Sequence, residues 1–152
     1  MPRLTKRISI NASADKVWGV LADFGGVAKW APTVVESHLT TEANGGVGAK
    51  RMLAVSTGES VEEVVVEWNE GRSFTFQIPA GLASVVKMLQ ETWTVEPALK
   101  ESVVAVTMDY TMKYGIIGTA LDSLMVGRAL RKMLAQNLAG LKHHIETGEA
   151  KG

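Results

Sequence analysis

The chain contains no cysteine, and this absence excludes thiol catalysis, disulfide bonds and thiolate metal sites. It also has no excess of charge, because 16 lysine and arginine residues offset 16 aspartate and glutamate residues. Nucleic-acid binders use a net basic face to hold phosphates, so we expect no nucleic-acid partner. No apolar run reaches the about 18 residues that a membrane-spanning helix needs, so no membrane span is expected either.

Signals for targeting or for several domains are also lacking. The first ten residues, MPRLTKRISI, carry basic side chains without a following apolar stretch, so we expect no signal peptide, and a cytoplasmic location is the default. No internal repeat, low-complexity tract or linker interrupts the chain. Its 152 residues suit one domain over 1–152, large enough to fold without metal or disulfide support.

The segment that is present near the start is a strand followed by a broken helix. Leu4, Ile8 and Ile10 recur near period two, which indicates a strand. Residues 11–24 follow with a capping Asn11 or Ser13 and one apolar face, formed by Val17, Val20, Leu21 and Phe24. Gly25 and Gly26 are expected to end this helix, and VAKW to add a short second one. We expect Trp18 and Trp30 to wedge this corner against the rest of the fold.

The remainder separates into strands and then one helix. Six strand-like runs fill residues 33–113, joined by turn-like breaks and by the segment PAGLASVV, which is too apolar for a solvated loop and which we expect to cover another part of the fold. From Gly115 the apolar residues take helical spacing over about eight turns. They fall at positions 117, 121, 124, 130, 134, 138, 141 and 145. Segregated strands and helices predict an α+β fold, with a curved seven-stranded antiparallel sheet around a long C-terminal helix.

Several stretches, in this order, resemble the START-like superfamily with the helix-grip fold, which includes the Bet v 1-like proteins. They are ASADKVWGVLADFGGVAKWAP, GGVGAKRML, VEEVVVEWNEGRSFTFQI, ETWTVEP and LRKMLAQNLAGLKHHIE. The polyketide cyclase/dehydrase-type proteins are the most similar subgroup. The resemblance implies an elongated apolar cavity between sheet and long helix, which binds a lipid, a quinone or a polyketide-like molecule. We expect no cofactor and no metal.

Arg51 and Glu63 are the most informative polar pair. If residues 56–58 form a three-residue hairpin loop with Gly58 in the left-handed conformation, position 51 faces position 63 across two strands. Pointing inward, the pair would anchor a ligand in the cavity, and the resemblance supports this role. Pointing outward, it would be a surface ion pair worth under about 1 kcal/mol. The alternation of this strand is not clean, and it slightly favours the outward orientation.

Further candidate ligand-binding residues are those expected to face the interior. Phe74, Phe76 and Ile78 alternate with polar residues, as do Met108 and Tyr110, whose hydroxyl needs a hydrogen-bond partner. The candidate set is Trp30, Arg51, Glu63, Phe74, Phe76, Met108, Tyr110, Leu121 and Met125. Asp23, Glu91 and Asp109 could serve as acids, but the sequence pairs no two of them in space.

No catalytic set can be named from these patterns, so three functions remain open. The first is binding of a hydrophobic small molecule. The second is a cyclase or dehydratase acting on a poly-β-ketone, with Arg51, Glu63 and Tyr110 as the available polar groups. The third is a protein-interaction role, which would need an exposed apolar patch. The oligomeric state is not indicated.

Overall fold

A computed structural model gives the fold for residues 3–79, 86–112 and 119–149, with the side chains of 119–123 not described. Seven strands and two α-helices follow the predicted order. They are β1 (Arg3–Ile10), α1 (Ala14–Ala22), a 3₁₀ helix (Phe24–Lys29), β2 (Val34–Leu39), β3 (Lys50–Val55), β4 (Ser60–Asn69), β5 (Ser73–Ile78), β6 (Val86–Pro97), β7 (Ser102–Met112) and α2 (Thr119–Thr147). The segment PAGLASVV lies mostly outside the described residues.

The sheet is antiparallel throughout, in the order β1-β7-β6-β5-β4-β3-β2. Its two edges are therefore the first two strands of the chain, and α2 packs mainly against β1. Register shifts occur in β2, β4 and β6, and irregularities of this kind bend a sheet. The predicted α+β helix-grip architecture, a seven-stranded sheet holding a long C-terminal helix, is confirmed.

The core forms where the inner face of the sheet meets α2 and the helical corner. Phe74, Phe76 and Ile78 are buried as their alternation predicts. So are the inward residues of β7 and most apolar positions of α2, namely Val104, Val106, Met108, Tyr110, Leu130, Leu134, Leu138, Leu141 and Ile145. The prediction is wrong for Leu124, which is 49% exposed. The apolar spacing of α2 continues beyond the part of the helix that the described residues cover. Leu124 lies in this uncovered part and is therefore exposed.

In the corner between α1 and β2, the first helix ends two residues earlier than predicted. Ser13 caps α1 by accepting a hydrogen bond from Lys16 N at 3.2 Å. The helix ends at Ala22, and Asp23 takes φ −73° and ψ 74°. Gly25 and Gly26 lie inside the 3₁₀ helix instead of before it. A Cβ at Gly26 would overlap the Asp23 carboxylate, so a glycine permits this tight turn.

Two tryptophan contacts fix the corner at its two ends, as predicted. Trp18 meets Trp68 edge-on at 5.3 Å between ring centroids, and both indole Nε1 atoms donate to Glu70, at 3.0 and 2.7 Å. Trp30 meets Trp93 edge-on at 5.4 Å. Each contact joins the corner to a different strand of the sheet, which makes the corner a rigid end wall.

We expect opposite effects from alanine at two glycines of α2. A Cβ at Gly140 would overlap the Trp30 carbonyl oxygen and the Pro32 ring, so Gly140→Ala should lower the free energy of unfolding by about 1–3 kcal/mol. A Cβ at Gly127 would make ordinary contacts, 3.4 Å from the Tyr110 hydroxyl. Gly127→Ala should therefore raise stability by up to about 1 kcal/mol, the gain in helix propensity. Urea denaturation of both variants tests this, and a shift of the same sign in both would contradict it.

Candidate functional site

A cavity lies between the sheet and α2, closed at one end by the helical corner. Its walls are side chains of β3, β4, β5 and β6, with Trp30 from the corner and Met133 and Asn137 from α2. Its volume is about 50 Å³. That space holds a few water molecules, because one needs roughly 10–15 Å³ by this measure. It is smaller than the roughly 300–1,000 Å³ of a typical ligand pocket.

The floor of the cavity holds Arg51 paired with Glu63. The two residues are opposite each other in the β3–β4 register, as predicted, and Gly58 in the loop has φ 95°. The outward orientation that the sequence favoured is wrong, because Arg51 and Glu63 are each only 4% exposed. Arg51 Nε donates to Glu63 Oε1 at 2.6 Å, and Nη2 lies 2.5 Å from the same oxygen.

The surroundings of Arg51 explain why a charge is tolerated here. Arg51 Nη1 donates to the Phe24 carbonyl oxygen at 2.6 Å. The guanidinium lies 3.7 Å from the centroid of the Phe24 ring and 5.0 Å from that of Phe76. A buried charge needs compensation from partners of this kind. These partners come from the corner and from β5, so the sequence of β3 could not reveal them.

Glu91 is a second buried carboxyl in the same cavity. Trp93 Nε1 donates to Glu91 Oε1 at 2.9 Å. Burial, with a further contribution from the Glu63 charge, raises the pKa of Glu91 to about 8, against the hydrogen bond from Trp93 and the charge of Arg51. Burial also raises the pKa of Glu63, but Arg51 opposes this directly. The floor therefore combines the hydrogen-bonded Arg51–Glu63 pair with a Glu91 carboxyl that is mostly protonated at neutral pH.

Sequence reasoning considered Glu91 as an acid but did not place it beside Arg51 and Glu63. A signal for its orientation was present, since Glu91 shares the parity of Leu89, Trp93 and Val95, and all four are buried. Its proximity to Glu63 has no local signal. The two carboxyls lie on β6 and β4 with β5 between them, so their interaction depends on the order of the strands in the sheet.

The wall opposite the floor contains one buried polar atom without a partner. Trp30 Nε1 has no hydrogen-bond acceptor within the described part of the chain. Asn137 of α2 is also buried, and its Oδ1 accepts from the Thr33 hydroxyl at 3.0 Å. Trp30 lines the cavity, so this donor without a partner belongs to a residue of the cavity wall.

Five of the predicted ligand-binding residues meet in this cavity: Trp30, Arg51, Glu63, Phe74 and Phe76. Within the described residues, Met108 and Tyr110 are buried in the core but do not line it. Met125 is 61% exposed, so its predicted inward position is wrong; it lies on a face of α2 that no described residue covers. The side chain of Leu121 lies outside the described residues.

The other two candidate acids are not part of this charge cluster. Asp109 pairs with Arg3 at 2.7 Å. Asp23 reaches the cavity rim but accepts from Asn44 at 2.7 Å and from Lys29 at 3.2 Å. Over residues 3–79, 86–112 and 119–149, no three metal-ligating side chains are grouped to hold an ion. Within the same ranges, no helix has the length and hydropathy to cross a membrane.

Comparison with known proteins agrees with this architecture. Residues 1–146 match the family described as polyketide cyclase / dehydrase and lipid transport. The chain belongs to this family. The resemblance drawn from the sequence is therefore confirmed. No curated protein matches the chain.

Solved structures of the same shape accompany the polyketide cyclase / dehydrase family match. XoxI from Bacillus cereus is 21% identical with a TM-score of 0.78, and 97% of each chain is covered. The ZhuI aromatase/cyclase from Streptomyces sp. R1128 is 17% identical with a TM-score of 0.79, over 95% of this chain and 93% of that one. A START superfamily protein from Mycobacterium smegmatis is 17% identical with a TM-score of 0.72, over 94% and 98%. At these identities the likeness establishes the shared fold.

Proposed function

We propose that this protein binds a hydrophobic small molecule, of lipid, quinone or polyketide-like type, in the cavity between the sheet and α2. The observation that carries the proposal is a buried, compensated polar floor beneath apolar walls. Replacing both members of a buried ion pair with apolar residues of similar volume is often neutral or stabilising, so stability alone does not explain the presence of Arg51 and Glu63. A few convergent polar groups in an apolar cavity are typical of a ligand site.

A ligand larger than the cavity requires the wall to move. Met133 lines the cavity, and its flexible thioether side chain can change rotamer at low cost. The polar floor is held by hydrogen bonds and would stay in place. We therefore expect a preformed polar end and an adaptable apolar end.

The first test is denaturing solvent extraction of the purified protein, followed by mass spectrometry of the released compounds. One apolar compound in near-stoichiometric amount would support the proposal and name the ligand class. The second test titrates the protein with 2-ethylnaphthalene by calorimetry. Val55→Phe, which adds bulk at the cavity wall, should weaken this binding at least about tenfold. Val66→Phe makes the same change on the exposed outer face of β4 and should leave it unchanged. An empty extract together with no measurable titration would refute the proposal.

A cyclase or dehydratase activity is the second candidate, and the buried acid Glu91 favours it. Closing a ring on a poly-β-ketone removes a proton from the attacking carbon, joins that carbon to a carbonyl whose oxygen is protonated by an acid, and then expels water to give the aromatic product. Glu91 is an acid in this cavity and water can accept the carbon-bound proton, whereas Tyr110, considered from the sequence, does not line the cavity. Incubation with a 1,3,5-triketone should yield an aromatic product detected by its ultraviolet absorbance. Glu91→Gln should slow this reaction at least about a hundredfold. Equal rates with and without the protein would exclude the activity for this substrate.

A further inference from the structure

We propose, on the basis of the binding function above, that the cavity selects neutral apolar molecules carrying a carbonyl-type acceptor and rejects the corresponding carboxylates. Trp30 Nε1 and the carboxylic acid of Glu91 are the two hydrogen-bond donors that recognise the acceptor. This narrows the ligand class to ketones, quinones and similar compounds, and it excludes fatty-acid anions.

Arg51, the cation that the described residues place on the cavity floor, is already neutralised. Arg51 gives two of its nitrogens to Glu63 and a third to the Phe24 carbonyl oxygen. Its guanidinium face lies against the Phe24 ring. A ligand carboxylate would have to displace Glu63 or remain unpaired beside it. Either arrangement leaves a buried negative charge without a partner, which is strongly unfavourable.

Trp30, a residue of the cavity wall, carries a hydrogen-bond donor without an acceptor in the described part of the chain. Trp30 is buried, and its Nε1 has no acceptor within the described residues. The neighbouring indole differs in this respect, because Trp93 Nε1 donates to Glu91. A buried N–H without an acceptor lowers stability, and an acceptor that reaches it recovers the lost interaction. A ligand carbonyl oxygen supplies that acceptor without adding charge.

The protonated carboxyl of Glu91 is the second donor. Its Oε1 accepts from Trp93, and no hydrogen bond to its Oε2 comes from the described residues, so a proton on Oε2 is available to a ligand. Burial, then the Glu63 charge, raises the pKa of Glu91 to about 8, so the acid form prevails at neutral pH. Above that pH the donor is lost and the cavity gains a negative charge. Both changes weaken binding of an acceptor.

The groups facing Glu91 can be named for each packed element. Glu63 comes from β4, Arg51 from β3, and Asp23 from the rim of the corner. The neighbouring strands place Phe76 and Met108 beside it, and α2 contributes Met133 and Asn137; none of these four titrates. Burial also raises the pKa of Glu63, so a change in binding near pH 8 is assigned to Glu91 by comparison with the Glu91→Gln variant.

The experiment compares three naphthalenes of nearly equal size by calorimetry at pH 6. They are 2-acetylnaphthalene, which has a carbonyl acceptor, 2-ethylnaphthalene, which has none, and 2-naphthoate, which is an anion. We expect the ketone to bind at least about tenfold more tightly than the ethyl compound, and the anion at least about a hundredfold more weakly than the ketone. Equal binding of ketone and ethyl compound, or tight binding of the anion, would overturn the selectivity and leave the binding function standing. No binding of any of the three would overturn both.

Two variants assign the selectivity to its donors. Trp30→Phe removes the N–H and should lower the ratio of the affinity for the ketone to the affinity for the ethyl compound, both measured in the variant, because only the Glu91 donor remains. In the unaltered protein the affinity for the ketone should fall about tenfold between pH 7 and pH 9, following the fraction of protonated Glu91. Glu91→Gln cannot ionise, so the ratio of its affinities at the two pH values should stay near one. A pH-independent affinity in the unaltered protein, or a fall retained in Glu91→Gln, would contradict the role of Glu91.

Discussion

An Arg51→Met variant is expected to lose about 3–5 kcal/mol of unfolding free energy at neutral pH, because it removes one partner of a buried ion pair. Glu63 would remain 4% exposed with no cation beside it. Its charge would have to be neutralised by protonation or solvated by opening the cavity. Urea denaturation followed by circular dichroism measures the loss.

Two controls separate this effect from the loss of a long side chain. Arg3→Met breaks the Arg3–Asp109 pair, in which the Arg3 side chain is 70% exposed, and should destabilise the protein much less, because solvent screens an exposed ion pair. The double variant Arg51→Met with Glu63→Leu removes both charges and should recover most of the loss. If Arg51→Met were no more destabilising than Arg3→Met, the assigned burial of the pair would be wrong.

The stability of the protein is expected to fall as the pH rises from 5 to 8. An unfolded glutamate has a pKa of about 4.3, whereas burial, and then the Glu63 charge, raises the pKa of folded Glu91 to about 8. Between these values the folded state binds a proton that the unfolded state releases, so raising the pH favours unfolding. The expected slope is on the order of 1 kcal/mol per pH unit, and the pKa of Glu63, also raised by burial, acts in the same direction.

Glu91→Gln is the matched variant for this pH dependence. It keeps an acceptor for Trp93 Nε1 and cannot ionise, so it should be about as stable as the unaltered protein at pH 5 and clearly more stable at pH 8. Asp23 and Glu70 affect stability at lower pH, because hydrogen bonds from Asn44 and Trp68 lower their pKa values. Their contribution is lost only below about pH 4.5. Thermal denaturation at several pH values tests both proteins, and parallel curves would refute the assignment.

The fold could be predicted because its signals are local. The period of two in β5 and β7, the helical spacing of α2 and the loop at Gly58 each depend on a few neighbouring residues. Even the Arg51–Glu63 register followed from the hairpin loop alone. The exact break of the first helix was missed because it depends on Asp23, whose carboxylate is held by Asn44 from another part of the chain.

The site was less predictable because its decisive contacts join distant segments. Arg51 points inward, where it donates a hydrogen bond to the carbonyl oxygen of Phe24, 27 residues away in sequence. The sequence of β3 does not indicate this contact. Glu91 is influenced by the charge of Glu63 across an intervening strand, and predicting this requires the order of the strands in the sheet. Met125 was expected to point inward but is exposed. Helical spacing predicts which residues of α2 share a face, but it does not predict how far along the helix that face is covered.

The two tryptophan contacts give the protein two separate optical reporters. All four tryptophans of the chain belong to them. Trp30 and Trp93 line the cavity, and the excited indole of Trp93 shares a hydrogen bond with the group that ionises near pH 8. Trp18 and Trp68 share Glu70 at the opposite end of the corner. The fluorescence of variants that retain a single tryptophan would thus distinguish a change in the cavity from a loosening of the corner, without any attached label.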